Sequence, residues 1–269
     1  KEESANERID LSGKLRMLSQ RIPSAACHMA AGIDPEGAAK QLDASVVEFE
    51  KILGALEFGD ADLNVQLPEE RRKTIAKIHE TREAWAPFKA AAIAIAAGDN
   101  SGDDLQIILS QNLSLLSSAQ SLVSEMIEQY STSPSTTQAD LFLVDIAGRQ
   151  RMLTQKMSKE SCTIVSGVGN GDSVKDLQGT MQMFEVSLEA LRFGMPALGI
   201  RKPPTPEISE GLGDVLSEWK ALKPSLEAVL SDAKLDKAAA SEKFNALNST
   251  MATMNAVVGL YVEASKHKG

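Results

Sequence analysis

Aromatic side chains make up only 4% of the sequence, and cysteine occurs just twice. Two cysteines, with no CxxC spacing, are too few for a disulfide scaffold and cannot by themselves fix a redox compartment. The three histidines, His28, His79 and His267, are scattered, and no Glu-x-x-His pair marks a di-iron bundle. His79 and Glu83 share a helix face at i, i+4 but lack further ligands, so they read as a solvated pair. No CxxCH marks covalent haem and no glycine-rich loop marks a nucleotide. No cofactor and no metal are expected, the chain does not read as an enzyme, and the methionines read as core filling. There is no block of Lys or Arg, and the formal net charge is −9, which argues against a nucleic-acid partner. The most apolar run, Ala90 to Gly98, falls far short of the roughly 20 residues that a bilayer demands, so no membrane span is expected. The sequence opens at Lys1 without Met, which suits a secreted form after signal cleavage or a segment of a membrane receptor.

What is present is Ala, Leu, Ser, Glu and Lys in long uninterrupted stretches, the composition of helix bundles. The chain also repeats itself. GKLRMLSQRI from Gly13 returns as GRQRMLTQKM from Gly148, FEKILGALEFG from Phe49 as FEVSLEALRFG from Phe184, and Cys27 as Cys162, each at an offset of 135. Trp85 and Trp219 (134) and Tyr130 and Tyr261 (131) suggest slight drift through loop insertions and deletions. In the first copy, breaks at Gly32–Pro35, Gly59–Pro68 and Gly98–Gly102 separate four helical segments. The second copy breaks at Gly167–Gly171, Met195–Pro206 and near Ser231–Asp236. Pro68 and Pro206, each followed by Glu, suit first helical positions. The expected fold is all-α: two tandem four-helix bundles over residues 1–131 and 137–269, joined by the linker STSPSTT from Ser131. Four alternating helices return the chain to its starting end, so the fifth helix points the same way as the first. The two motif helices are then parallel at the centre and related by a pseudo-two-fold axis, like a dimer fused into one chain.

The motif helix has two faces. Leu11, Leu15, Leu18, Ile22, Ala25 and Met29 follow a 4-3-4-3-4 stripe that packs into its own bundle. Arg16, Gln20 and Cys27 lie roughly 140–180° away, with Gly13 close by. The fifth helix repeats this second face with Gly148, Arg151, Gln155 and Cys162, while Gln150 and Glu160 interrupt its core stripe. Gly13 and Gly148 allow close approach, so the two arginines converge on one small volume. Guanidiniums that face each other repel unless something negative lies between them, and their planar donor forks suit a small oxyanion or carboxylate. The alternative is two surface arginines, solvated or salt-bridged. Cys27 and Cys162 lie about 20° from their arginines around the helix and can oppose each other as two buried thiols or as a disulfide. Pro23 should kink or interrupt the first helix; Ser158 stands in its place in the second copy.

The pattern Gly-x-x-Arg-Met-Leu-Ser/Thr-Gln, at Gly13 to Gln20 and Gly148 to Gln155, resembles the PilJ-type sensor domain of type IV pili methyl-accepting chemotaxis transducers. It is also similar to the first-helix motif of NarX/NarQ-type nitrate and nitrite sensors. The resemblance implies an extracytoplasmic or periplasmic helical bundle in which the motif arginines of two protomers clamp nitrate or nitrite. Carried over, those arginines are Arg16 and Arg151, with Gly13 and Gly148 at the close approach. Family members often carry Asn three residues before the motif Gly, whereas Asp10 and Asp145 stand here. Those carboxylates either face solvent near the helix start, where the dipole favours acids, or neutralise the arginines and disfavour an anion. The expected partners are a small anion and a protein partner or receptor signalling module. The rival reading is a ligand-free structural or adaptor protein whose duplicated motif joins two bundles.

Overall fold

The computed structural model describes residues 4–131, 137–231 and 236–266. Its helices are α1 (Ala5–Ala31), α2 (Pro35–Phe58), α3 (Arg72–Ala96), α4 (Asp103–Tyr130), α5 (Gln138–Ser166), α6 (Ser173–Phe193), α7 (Pro206–Leu230) and α8 (Lys237–Lys266), and there is no strand among the described residues. The fold is all-α, with α1 packed on α2 and α4, α5 packed on α6 and α8, and the most extensive contact joining α1 to α5. Residue pairs across that seam advance together: Arg16 meets Asp145, Ser24 faces Ser158, and Cys27 meets Cys162. The two motif helices therefore run parallel. Most of the expected linker, and most of the break near Ser231–Asp236, lie outside the described residues.

The repeat is legible in the turns. Gly32 and Gly167, 135 apart, end α1 and α5 in the left-handed conformation at φ 65° and 73°, where a side chain would be strained. After α2, Asp60 and Val65 bridge around a 3₁₀ turn at Ala61–Leu63, and after α6, Met195 and Ile200 do the same around Pro196–Leu198. In each copy an aromatic pair anchors the core: Phe49 stacks on Trp85 and Phe184 leans on Trp219. Each indole donates to a glutamate, Trp85 Nε1 to Glu50 at 2.8 Å and Trp219 Nε1 to Glu185 at 2.9 Å. These reciprocal features are compatible with a pseudo-two-fold axis.

Four local expectations are corrected. Pro206 does open α7, but α3 starts at Arg72 rather than Pro68. The Glu69 carboxylate accepts from the N–H groups of Glu70 and Arg71 and pairs with the buried Arg8, and this stretch stays irregular ahead of the helix. Of the kink or interruption expected at Pro23, the interruption is absent, since α1 runs on through it. The Ser19 carbonyl, which loses its helical donor to the proline ring, accepts from Gln20 Nε2 at 3.2 Å. His79 bonds Glu57 of α2 at 2.8 Å and not Glu83. Tyr130 and Tyr261 are not positional equivalents, because α4 and α8 keep the offset of 135 through Gln120 and Asn255, each of which accepts from a motif arginine. The tyrosines thus stand about one turn apart on equivalent helices.

His28 sits at the end of α1, 1% exposed, stacked on Phe244 at 4.1 Å with Nδ1 2.7 Å from the Ser24 carbonyl. Burial is the main cause that lowers its pKa from 6.5 to about 4, and nearby Lys243 adds to this against the Ser24 hydrogen bond. Between those values the unfolded chain binds the proton and the folded chain does not. The stability due to neutral His28 is therefore complete above about pH 6.5 and is lost as the pH falls towards 4, on the order of 3 kcal/mol. Urea denaturation as a function of pH should show that decline, and His28→Gln should flatten it.

Candidate functional site

Near the middle of the α1–α5 seam the two motif arginines are buried, each 1% exposed. Arg16 Nη1 lies 2.7 Å from Asp145 Oδ1, and Arg151 Nη1 lies 2.8 Å from Asp10 Oδ1, so each guanidinium pairs with a carboxylate of the other helix. Each also donates to an amide oxygen on the fourth helix of its own copy, Arg16 to Gln120 and Arg151 to Asn255, both at 2.8 Å. Of the two acids, Asp145 is 4% exposed and Asp10 19%. Neither points to solvent at a helix start: α1 and α5 begin at Ala5 and Gln138, well before them.

The glycines set the spacing. A Cβ on Gly13 would stand 3.2 Å from Arg16 Nη2 and 3.5 Å from Arg151 Nη2; one on Gly148 would stand 3.2 Å from Arg151 Nη2 and 3.4 Å from Arg16 Nη2. Both guanidiniums thus rest over both glycines. Burial is the main reason that the Arg16 pKa falls to about 10; the Asp145 carboxylate opposes it, while Arg149 and Arg151 reinforce it. Asp145 is shared, since its Oδ2 accepts from Arg149 at 3.0 Å. The seam therefore gathers three guanidiniums around two carboxylates, and Arg16 Nε meets no acceptor among the described residues.

The motif glutamines diverge. Gln20 Oε1 accepts from Lys159 at 2.8 Å, whereas Gln155 Oε1 is buried without a donor among the described residues. Ser24, the counterpart of Lys159, is too short to reach it. At the far end of the seam the structure joins Cys27 to Cys162 in a disulfide, Cα to Cα 6.2 Å. The amides Gln120 and Asn255 and the surplus cation Arg149 are site residues that motif reading passed over. Carrying the offset of 135 through the fourth helix exposes the amide pair. Arg149 lies inside the motif itself, but its contact with Asp145 is visible only in three dimensions.

Among the described residues no group of three metal-ligating side chains forms, and no helix is long and apolar enough to cross a membrane. The family described as PilJ, type IV pili methyl-accepting chemotaxis transducer N-term, matches the chain twice, over residues 1–109 and 135–244. No curated protein matches it significantly.

Two measurements test this geometry. Asp145→Asn strands a buried guanidinium and should cost about 3–5 kcal/mol in urea denaturation, with Asp10→Asn costing less because Asp10 keeps partial access to water. Reduction should add about 2 Da to the intact mass and lower the denaturation midpoint, since a bridge closing so long a loop contributes roughly 4–5 kcal/mol in the chain-entropy model.

Proposed function

The chain belongs to the PilJ family of chemotaxis-transducer sensory domains, a family of sensors rather than enzymes, and from that premise we propose a periplasmic sensory module whose arginine seam binds a small oxyanion. The observation that carries this reading is the convergence of both guanidiniums over both motif glycines. The third guanidinium and the spare Arg16 Nε donor favour one further negative charge there. Nitrate, nitrite and short carboxylates have the planar shape and charge that such forks recognise.

An incoming anion has to compete with the resident carboxylates, and Asp10 is the one that yields more cheaply because it keeps partial access to water. Displacing it from Arg151 loosens one of the two crossed pairs between α1 and α5. The bundles, taken as residues 1–131 and 137–269, then shift by piston or rotation relative to each other, which a signalling partner can read.

A structural reading also has a specific observation behind it: the crossed pairs already set a carboxylate against each arginine and clasp the two bundles without a ligand. Calorimetric titration with nitrate, nitrite and acetate separates the two. The sensor reading expects binding that Arg16→Ala abolishes and that Asp10→Asn strengthens about tenfold, or about 1.4 kcal/mol. No heat from any anion, in the wild type or in Asp10→Asn, leaves the seam as a clasp.

A further inference from the structure

The two copies differ most in chemistry beside the seam, one to three turns beyond the arginines. On the α8 side, His28 and Phe244 stack and close the space between helices. At the positions 135 residues removed stand Thr163 and Leu109, which are smaller, and a groove of about 510 Å³ opens there between α4, α5 and α6. Its size lies in the range of small-molecule sites.

Into this groove α5 brings two charged residues that the first copy lacks. Lys159 and Glu160 replace Ser24 and Ala25, and they are 7% and 4% exposed. Lys159 Nζ donates to two neutral amides, Gln20 Oε1 and Asn112 Oδ1, both at 2.8 Å. An ammonium has three donors, so one remains. Glu160 Oε1 accepts from Lys156 and from Thr180 Oγ1, while Glu160 Oε2 is buried and meets no donor among the described residues. Burial lowers the Lys159 pKa to about 8 and raises that of Glu160, as expected of charges short of partners.

The wall is balanced: Lys156 and Lys159 face Glu160 and Asp176. A lone anion would satisfy the spare ammonium donor and leave the Glu160 oxygen orphaned; a lone cation would do the reverse. We propose that this groove binds a small zwitterion, the class of free α-amino acids, with its carboxylate on Lys159 and its ammonium on Glu160 Oε2. The site is distinct from the arginine seam and goes beyond the anion reading.

Calorimetric titration of the whole chain with each of the common L-amino acids tests this, with acetate and methylammonium as single-charge controls. At least one amino acid should bind; methylammonium should not, and acetate should not in Arg16→Ala, where the seam no longer holds an anion. Lys159→Gln should weaken binding tenfold or more, and Ser110→Trp, at an exposed position lining the groove, should abolish it by filling the space while circular dichroism shows an intact helical fold. Arg16→Ala should keep amino-acid binding to within a few-fold while it abolishes anion binding at the seam, so failure of the anion reading and failure of this one are separable. Silence with every amino acid, binding that survives Ser110→Trp, or acetate binding to Arg16→Ala as tightly as an amino acid would overturn the assignment.

Discussion

A buried guanidinium keeps its charge only if something negative is buried beside it, and where α1 meets α5 two of them are buried against the same pair of glycines. Each finds its carboxylate on the opposite helix. This crossing makes the seam a register device. Sliding one helix by a turn moves the charges about 5.4 Å apart and breaks both crossed pairs, leaving Asp145 only Arg149 of its own helix. The apolar stripes supply most of the burial energy, but they repeat along each helix and tolerate slippage better than point charges do. The arginine and aspartate positions select one alignment, and at the far end of the seam the Cys27–Cys162 bridge fixes the same alignment covalently.

Fusing two copies into one chain frees them to diverge. In a symmetric dimer any change appears on both sides of the axis, whereas here Ser24 and Lys159 occupy matching positions. The consequences are local and chemical. One flank of the seam is plugged by an aromatic stack on a neutral histidine, and the other is hollow and charged. Deeper in the second copy Gln150 donates to the Phe184 carbonyl where Leu15 packs in the first. The second bundle thus carries a half-satisfied amide where the first relies on area alone, since Gln150 Oε1 is buried with no donor among the described residues.

The helical count, the parallel motif helices and the two-faced motif were legible because each rests on spacing, which one sequence displays directly. Leu11 to Ile22 announce one face by period, and Gly13, Arg16 and Gln20 announce the other by recurrence. What spacing leaves open is the partner. Whether Asp10 and Asp145 faced water or the arginines depended on where each helix began, and the helices start earlier than their glycine-centred motif suggests. Pro23 misled for a related reason: the rule counts a lost backbone donor, and only the structure reveals that a neighbouring side-chain amide replaces it. Glu160 reads in the sequence as a defect in a core stripe, and nothing in the spacing singles out Lys159. Their meaning depends on Asn112 of α4 and Thr180 of α6, far away in sequence.

Gln20 ties these regions together. It stands one turn beyond Arg16 on α1, its amide nitrogen serves the carbonyl freed by Pro23, and its oxygen holds Lys159 of α5. Its Nε2 also lies 3.2 Å from Asn112 Oδ1, the other acceptor that Lys159 uses. Displacement of Lys159 therefore removes a donor from Gln20 and Asn112 together, and neither can turn to solvent because both are buried. The strain then falls on α1 within a turn of Arg16, the helix that the crossed ion pairs hold in register. Coupling between distant groups needs an element with two defined arrangements that both can bias. Both α1 and α5 touch the seam, the amide bridge and α4, and α1 is the one that packs broadly on α4.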